Sequence, residues 1–385
     1  MILLSICIIW LLVLGFFLFA LVRAFVYRKI LDPARIVAGT DLPFTTIVVP
    51  ARNEERNIKR CIDSIVDQTY AREKYKLIVV NDNSEDNTES IIKEAAAKED
   101  NIHLVNADPL PDGWTGKSHA CWQAAAYLEG EYFCFMDADT KAEPRLLETA
   151  VSYAENNGID LLSVNPFQEM RSITERIFLP GVFLAIAASM NFKKINDPGS
   201  REAVANGQFL LFKAKTYRAL NGHEAVRKII MEDIAFAQMV KQAGYKLMFI
   251  FGDDLILTRM YSGLEGIWEG FSKNISNIMN KPDPVAGSWM AVKSIILGVF
   301  PILLLIFYFS MYDAGDNYYT IMTALLSAGW FSMVVTGVSV LYAMKIPRRY
   351  LLALPAGLLL HAAITVSNIV KQKTGGKKWK GRTYK

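Results

Sequence analysis

Asp137 and Asp139 stand one residue apart in Met136-Asp137-Ala138-Asp139-Thr140, directly after the apolar run Tyr132-Phe133-Cys134-Phe135. In an extended segment residues i and i+2 face the same way. The two carboxylates can therefore converge on one hard cation, or on a cation and a ribose, with a bound diphosphate completing the coordination. The same pair also suits a surface turn at a strand end. The rest of the chain must decide between these readings.

The elements that would present the pair are read from hydrophobic spacing. Thr45 to Pro50 is a short β-branched run, and Ile58, Cys61, Ile62, Ile65 and Val66 then recur at helical spacing. Lys76 to Val80 reads as a second strand, followed by a polar helix from near Asp86 with Ser84 or Asp86 as its cap. His103 to Ala107, Lys117 to Leu128, Tyr132 to Met136 and Pro144 to Ala154 continue the alternation of strand and helix. This predicts an α/β, Rossmann-like domain with a mainly parallel sheet covered on both faces. Ligands of such sheets lie beyond the carboxyl ends of the strands, where Pro50 to Glu54, Asp82 and Asp137 to Asp139 all fall.

The chain has 385 residues, 52% of them hydrophobic, and the apolar excess sits at its two ends. Ile2 to Val22 carries no charge over a length that spans a bilayer, and without a basic leader or an Ala-x-Ala site it reads as an anchor rather than a cleaved signal. Further apolar segments run from Ser294 to Met311, Tyr319 to Met344 and Tyr350 to Val370. Arg23, Arg28, Lys29 and Arg35 follow the first helix, so the positive-inside rule places the globular domain in the cytoplasm. The loop with Asp313 and Asp316 then lies outside, and Lys345, Arg348 and Arg349 return to the cytoplasm. A basic tail from Lys371 to Lys385 belongs inside as well, which requires one segment not to span; Tyr350 to Val370, with Pro355, Gly357 and His361, is expected to be re-entrant or to lie in the membrane plane. The net charge of +4 is concentrated beside these segments and points to anionic headgroups, not to nucleic acid. Cys7, Cys61, Cys121 and Cys134 show no metal or disulfide spacing and read as small buried hydrophobes in a reducing compartment.

Five stretches carry a resemblance: Val49-Pro50-Ala51-Arg52-Asn53-Glu54-Glu55, Val80-Asn81-Asp82-Asn83-Ser84, Gly116-Lys117-Ser118, Asp137-Ala138-Asp139 and Glu232-Asp233. In this order they resemble the motifs of inverting nucleotide-sugar glycosyltransferases of the GT-A fold. Gly113-Trp114-Thr115-Gly116-Lys117-Ser118-His119-Ala120-Cys121, Leu161 to Pro166 and Trp379 to Tyr384 look like a membrane branch that includes hopene-associated and diaponeurosporenoate glycosyltransferases. The resemblance implies that Asp82 grips the nucleobase, whose imide N–H needs an acceptor, and that Pro50, Ala51, Arg52 and Glu54 shape the floor beneath it. A turn or capping aspartate is the alternative for Asp82. Lys117 lies near the diphosphate or the base on this reading, and a phosphate there would explain a cation at a helix start, although a solvated lysine fits there too. Asp137 and Asp139 become ribose and metal contacts, with Mg²⁺ or Mn²⁺ bridging the phosphates. Asp233 becomes the general base of a single inverting displacement, against the plainer reading of Glu232 and Asp233 as first-turn acids of a helix.

Other features are softer. Processive polysaccharide synthases of this fold carry Gln-x-x-Arg-Trp after the base, whereas this chain has Leu264-Glu265-Gly266-Ile267-Trp268 and keeps only the tryptophan. Glu232, Trp268 and Arg382 are further candidates for contact with the acceptor or the diphosphate, with a headgroup anchor as the alternative for Arg382 and Lys380. Leu264, Ile267, Trp268, Phe271, Ile275 and Ile278 form one apolar helical face that suits an interfacial helix or packing against a core. Ile177 to Met190 is too short to span and reads as a buried helix or the lip through which a lipid enters. His223 after Asn221-Gly222 reads as a loop histidine. The expected organisation is an anchor at 1–23, a cytoplasmic catalytic domain at 40–260, an interfacial helix at 261–282, membrane helices at 290–370 and a basic tail at 371–385. The expected activity is transfer of a single sugar from a nucleoside diphosphate sugar, UDP-linked, to a lipid or isoprenoid acceptor. A polysaccharide synthase and a non-catalytic membrane adaptor are the competing classes.

Overall fold

The computed structural model describes residues 2–35, 41–260, 263–278, 284–311, 317–374, 377–379 and 382–384. The loop with Asp313 and Asp316, and Lys380, lie outside the described residues, as do the side chains of Ile275, Ile278 and the basic tail from Lys371 to Lys385. The chain divides into two units. One comprises Tyr27–Glu169 and Phe192–Met260; the other comprises Met1–Val26, Met170–Asn191 and Tyr261–Lys385.

The first unit is built on one sheet. Its strands are β1 (Thr45–Ala51), β2 (Tyr75–Asn81), β3 (Ile102–Asn106), β4 (Tyr132–Met136), β5 (Thr140–Ala142), β6 (Leu161–Gln168), β7 (Phe209–Lys213) and β8 (Leu247–Thr258). They lie in the order β3-β2-β1-β4-β7-β6-β8-β5. Strands β3, β2, β1 and β4 run parallel, as do β6 and β8, while β7 is antiparallel to both its neighbours and β5 to β8. The expected mainly parallel sheet is present, with β7 inserted against the grain.

Alternation along the strands feeds two cores. Ile47 and Val49, Leu77 and Val79, and Cys134 and Met136 face one side, where the helices Ile58–Val66 and Leu146–Asn157 supply Ile62, Ile65, Leu147 and Val151. Val48, Ile78, Val80, Phe133 and Phe135 face the other, against Ala120 and Cys121 of the helix Gly116–Gln123 and Phe236, Ala237 and Val240 of the helix Glu232–Gln242. Burial on both faces is why these strands read as continuous apolar runs. It also sets the helices that begin at Gly116 and Glu232 on the same side of the sheet. All four cysteines are free and buried.

The helix after β2 starts at Thr88, just past Asp86, and Asn87 before it makes no side-chain cap bond. The Asp86 carboxylate is spent on tying two loops together, accepting from Thr88 N at 3.0 Å and Glu55 N at 3.2 Å. The helix predicted to reach Leu128 stops at Gln123 and tightens into a 3₁₀ turn over Ala124–Tyr127.

The second unit is helical. Its helices are Ile2–Val26, Ile173–Ser189, Gly263–Ile278, Pro284–Gly298, Phe300–Met311, Asn317–Ala343 and Leu354–Thr374. Residues 170–191 thus leave the stretch read as one domain. The helix they form is capped by a Ser172–Glu175 capping box, and its Leu179 and Val182 cluster with Ile267, Phe271, Leu360 and Ile364. The same cluster accounts for the Gly263–Ile278 helix, which buries Ile267 and Phe271 against neighbouring helices and leaves Leu264 exposed. Gly181 and Gly357 let two backbones meet: a Cβ on Gly181 would lie 2.6 Å from Leu358 N, and one on Gly357 would lie 2.5 Å from Phe178 O. Among the described residues three helices, Leu3–Val26, Tyr318–Ala343 and Arg348–Val370, are long and apolar enough to cross a membrane. Over Tyr350–Val370 a 3₁₀ turn at Arg348–Ala353 leads into the continuous helix Leu354–Thr374, which shows no turn back among the described residues. A 41° bend separates Gly287–Gly298 from Phe300–Ser310 instead.

Candidate active site

Parallel pairing brings the carboxyl ends of β1, β2 and β4 to one edge of the sheet, with Ala51 level with Asn81. The segments that leave this edge hold one another. Arg52 Nη1 donates to Asp82 O at 2.9 Å and to Asn83 O at 3.0 Å, and Asp82 N donates to Ala51 O at 2.8 Å. Asn53 N meets Ser84 Oγ at 3.1 Å, Glu85 N meets Asn53 Oδ1 at 2.8 Å, and Glu54 N meets Thr88 Oγ1 at 2.8 Å. Both Asn53 and Asn83 adopt positive φ, which asparagine tolerates better than most residues. Arg52 and Glu54 therefore fix loop shape, while Pro50 and Ala51 close β1 beneath the buried Asp82.

β4 ends in the turn that carries the carboxylate pair. Asp137 O accepts from Thr140 N at 3.2 Å and from Thr140 Oγ1 at 2.7 Å, and Asp139 O accepts from Arg60 Nη2 at 3.3 Å. The antiparallel β7 runs back toward this turn, with Met136 opposite Phe209, so the residues just before β7 arrive at the site. Asp137 N donates to Gln208 O at 3.3 Å. Asn206 is held by Ser163 Oγ at 2.7 Å and Asn165 Oδ1 at 2.8 Å, and the buried Gln208 by Thr258 Oγ1 at 3.0 Å.

Lys117 joins these pieces. Its Nζ lies 2.6 Å from Asp137 Oδ1 and 2.8 Å from Glu232 Oε1, and donates to Gly207 O at 3.2 Å. Asp233, next along the same helix start as Glu232, accepts from Gly207 N at 2.8 Å and from Ile234 N at 2.8 Å. Burial by itself would lower Lys117, but Asp137 and Glu232 outweigh it and hold the ammonium well above its usual range. Burial and the adjacent Glu232 charge push Asp233 up to about 6, against the opposing pull of Lys117 and the two backbone donors. A carboxylate poised there accepts a proton near neutral pH and then releases it.

The structure thus brings Lys117, Asp137, Glu232 and Asp233 into one cluster, with Asp139 two residues from Asp137 and Asp82 on the same sheet edge. Trp268 and Arg382 belong to the other unit. His223 is buried, with Nδ1 2.8 Å from the Tyr217 hydroxyl, and burial pulls it down to about 3; it is a neutral core group. Burial pushes the Cys61 thiol up to about 12, which leaves it inert. Asn206, Gly207 and Gln208 escaped the sequence reading. Their only local signal is an Asn-Gly pair before the apolar run Phe209 to Phe212.

A divalent cation fits the donor set. Asp137 and Asp139 offer oxygen only, and the Asp137 carboxylate already has a cation at 2.6 Å. No group of three or more His, Cys, Asp or Glu arranged to hold a metal occurs among the described residues. With a ligand's oxygens added, two carboxylates would make an all-oxygen donor set of the kind that Mg²⁺ or Mn²⁺ takes.

Residues 46–214 match the glycosyl transferase family 2 profile. The 4,4'-diaponeurosporenoate glycosyltransferase of Staphylococcus aureus (strain USA300) is 30% identical over 238 residues, and that of Staphylococcus haemolyticus 25% over 234. Each alignment covers 60% of this chain and 60% of the relative. The structure of the mannosyltransferase PcManGT from Pyrobaculum calidifontis, in complex with GDP-Man and Mn²⁺, superposes with a TM-score of 0.57 at 19% identity, covering 96% of this chain and 99% of that one. That likeness is one of fold, and the fold is GT-A.

Proposed function

Residues 46–214 match the glycosyl transferase family 2 profile, and from that match we propose that the protein moves one sugar, with inversion, from a UDP-linked donor to a lipid or isoprenoid acceptor at the cytoplasmic face of a membrane. The observation that carries this reading is the Lys117 cluster. It sets a cation, a metal-type carboxylate pair and a carboxylate of raised pKa at the end of one sheet edge, where a diphosphate and an acceptor can share them.

In this reading Asp82 accepts a hydrogen bond from the nucleobase imide N–H, over a floor set by Pro50, Ala51, Arg52 and Glu54. Asp137 and Asp139 are the ribose and metal contacts. Mg²⁺ or Mn²⁺, when bound, neutralises charge on the departing nucleoside diphosphate. Asp233, held by Gly207 N and Ile234 N, accepts the acceptor's hydroxyl proton while the oxygen attacks the anomeric carbon opposite the leaving group. When the acceptor is a carboxylate no proton has to leave, and Asp233 orients the nucleophile. The absence of Gln and Arg from Leu264 to Trp268 favours one transfer over polymerisation. The names of the staphylococcal relatives support a carotenoid-type acid as acceptor. The apolar helices support membrane residence, and the basic residues after Val22 support a cytoplasmic domain.

The test is incubation of membranes containing the chain with UDP-hexoses, Mn²⁺ and a polyene carboxylic acid. Acceptor-dependent UDP release is expected, with a product that gains one hexose of inverted anomeric configuration. No nucleotide release with any donor or lipid extract would overturn the proposal, and a long polymer would return it to the synthase class.

A further inference from the structure

The Lys117 ammonium has three donors, and three oxygens take them: Asp137 Oδ1 at 2.6 Å, Glu232 Oε1 at 2.8 Å and Gly207 O at 3.2 Å. A lysine so engaged cannot also grip a phosphate without giving up one of these partners. The carboxylate it holds most closely, Asp137, belongs to the pair that the donor reading sets around the ribose and the metal. We propose that Lys117 is a resident counter-cation. It holds Asp137 in the ligand-free site and yields that carboxylate to a divalent cation only when a nucleoside diphosphate draws the ammonium onto its phosphate oxygens, so that metal and nucleotide enter together.

The geometry says which contact breaks. Glu232 is the buried end, with its side chain 6% exposed, whereas Lys117 and Asp137 are 29% and 28% exposed and stand toward the open side. The ammonium can therefore pivot about Glu232 and leave Asp137. Gly207 confines the starting position. A Cβ there would lie 2.8 Å from Lys117 Nζ, 3.2 Å from Glu232 Oε1 and 3.3 Å from Asp233 Oδ2, so the backbone without a side chain is what admits the ammonium. Electrostatics supplies the coupling. A divalent cation placed beside Asp137 while the ammonium is still there meets a like charge at contact range, in a partly buried site where such repulsion is weakly screened. A diphosphate removes the repulsion twice, by attracting the lysine and by adding negative oxygens. Glu232 on this view is a positioning residue that holds the lysine in reach throughout.

This inference rests on the donor-site reading, and the experiment separates the two. Free Mn²⁺ is measured by electron paramagnetic resonance in titrations of the full chain in detergent, with and without UDP or GDP, for the wild type, Lys117→Met and Lys117→Ala. Melting curves report folding and nucleotide binding. The expected result is that UDP or GDP tightens Mn²⁺ binding to the wild type at least tenfold. Without nucleotide, a folded Lys117 variant should bind Mn²⁺ at least tenfold more tightly than the wild type does. A wild type that binds Mn²⁺ equally well with and without nucleotide overturns the proposal whatever the variants do. So does a folded Lys117 variant whose nucleotide-free Mn²⁺ affinity stays within twofold of wild type. If neither UDP nor GDP binds, the donor-site reading falls and takes this inference with it; if a nucleotide binds and the metal data disagree, the inference alone falls.

Discussion

Replacing Asp233 by asparagine should make the protein more stable at neutral pH while damaging its chemistry. The ordinary value of 3.8 is pushed up to about 6 by burial and by Glu232, so the folded state prefers the protonated acid. That preference is fully present below about pH 4 and lost as the pH rises through 6; above it, the folded chain carries a carboxylate it would rather neutralise. A shift of about two units corresponds to ~3 kcal/mol, and partial exposure of the site brings this to roughly half. Asparagine keeps one acceptor oxygen for the two backbone donors, Gly207 N and Ile234 N, and forfeits about 0.5–1 kcal/mol. The balance is a gain of roughly 1 kcal/mol at pH 7.5, or about 2–4 °C in melting temperature for a unit of this size. Thermal melts of wild type and Asp233→Asn in detergent, from pH 4 to 8, should show a gap that is widest above pH 7 and closes toward pH 4. A variant no more stable than wild type at pH 7.5, or a gap independent of pH, would refute the assignment of Asp233 as a strained, burial-shifted acid.

Activity should separate acceptors: Asp233→Asn is expected to lower turnover about 10²–10⁴-fold with a hydroxyl acceptor and clearly less with a carboxylate acceptor, read as nucleotide release. Glu232→Gln removes the neighbouring charge that helps to raise Asp233, so the acidic limb of the turnover–pH profile, centred near pH 6 in the wild type, should move to lower pH. Gly207→Ala places a methyl 2.8 Å from Lys117 Nζ; overpacking of this kind costs about 1–3 kcal/mol, and melting together with turnover should show both stability and rate reduced. Asp139→Ala should abolish Mn²⁺ stimulation of nucleotide release while leaving the melting temperature within a few degrees, about ±0.5 kcal/mol to 1 kcal/mol, measured on the same preparation.

Much of the α/β unit was legible because its strands are buried on both faces. Thr45 to Val49, Lys76 to Val80 and Tyr132 to Met136 each carry alternate side chains into two cores, and such runs end in turn residues that mark the carboxyl edge. Asp82, Asp137 and Asp139 sit at those ends, so one-dimensional spacing already groups them. Gly207 and Gln208 could not be found this way. They reach Asp137 because β7 enters antiparallel beside β4, and that pairing depends on partners some seventy residues apart, as in Asp137 N to Gln208 O. The departure of residues 170–191 was hidden for a related reason: a 17-residue apolar helix with Pro180 inside it has the same composition whether it packs under a sheet or against other helices. The segment Tyr350 to Val370 looked broken because proline and glycine are breakers in general. Pro355 lies in the first turn of its helix, where no intrahelical donor is lost, and Gly357 serves close packing against Gly181, so the helix continues. The bend falls at Val299, between Gly298 and Pro301, where the proline removes a helical donor.

The most direct test of the whole account is a structure of the full chain with an intact UDP-hexose and Mn²⁺. The account predicts one bound nucleotide sugar, its base against Asp82, its diphosphate and metal among Lys117, Asp137 and Asp139, and the anomeric carbon facing Asp233. A nucleotide that binds away from the β1, β2 and β4 ends, or one that leaves Asp233 out of reach of the sugar, would contradict it.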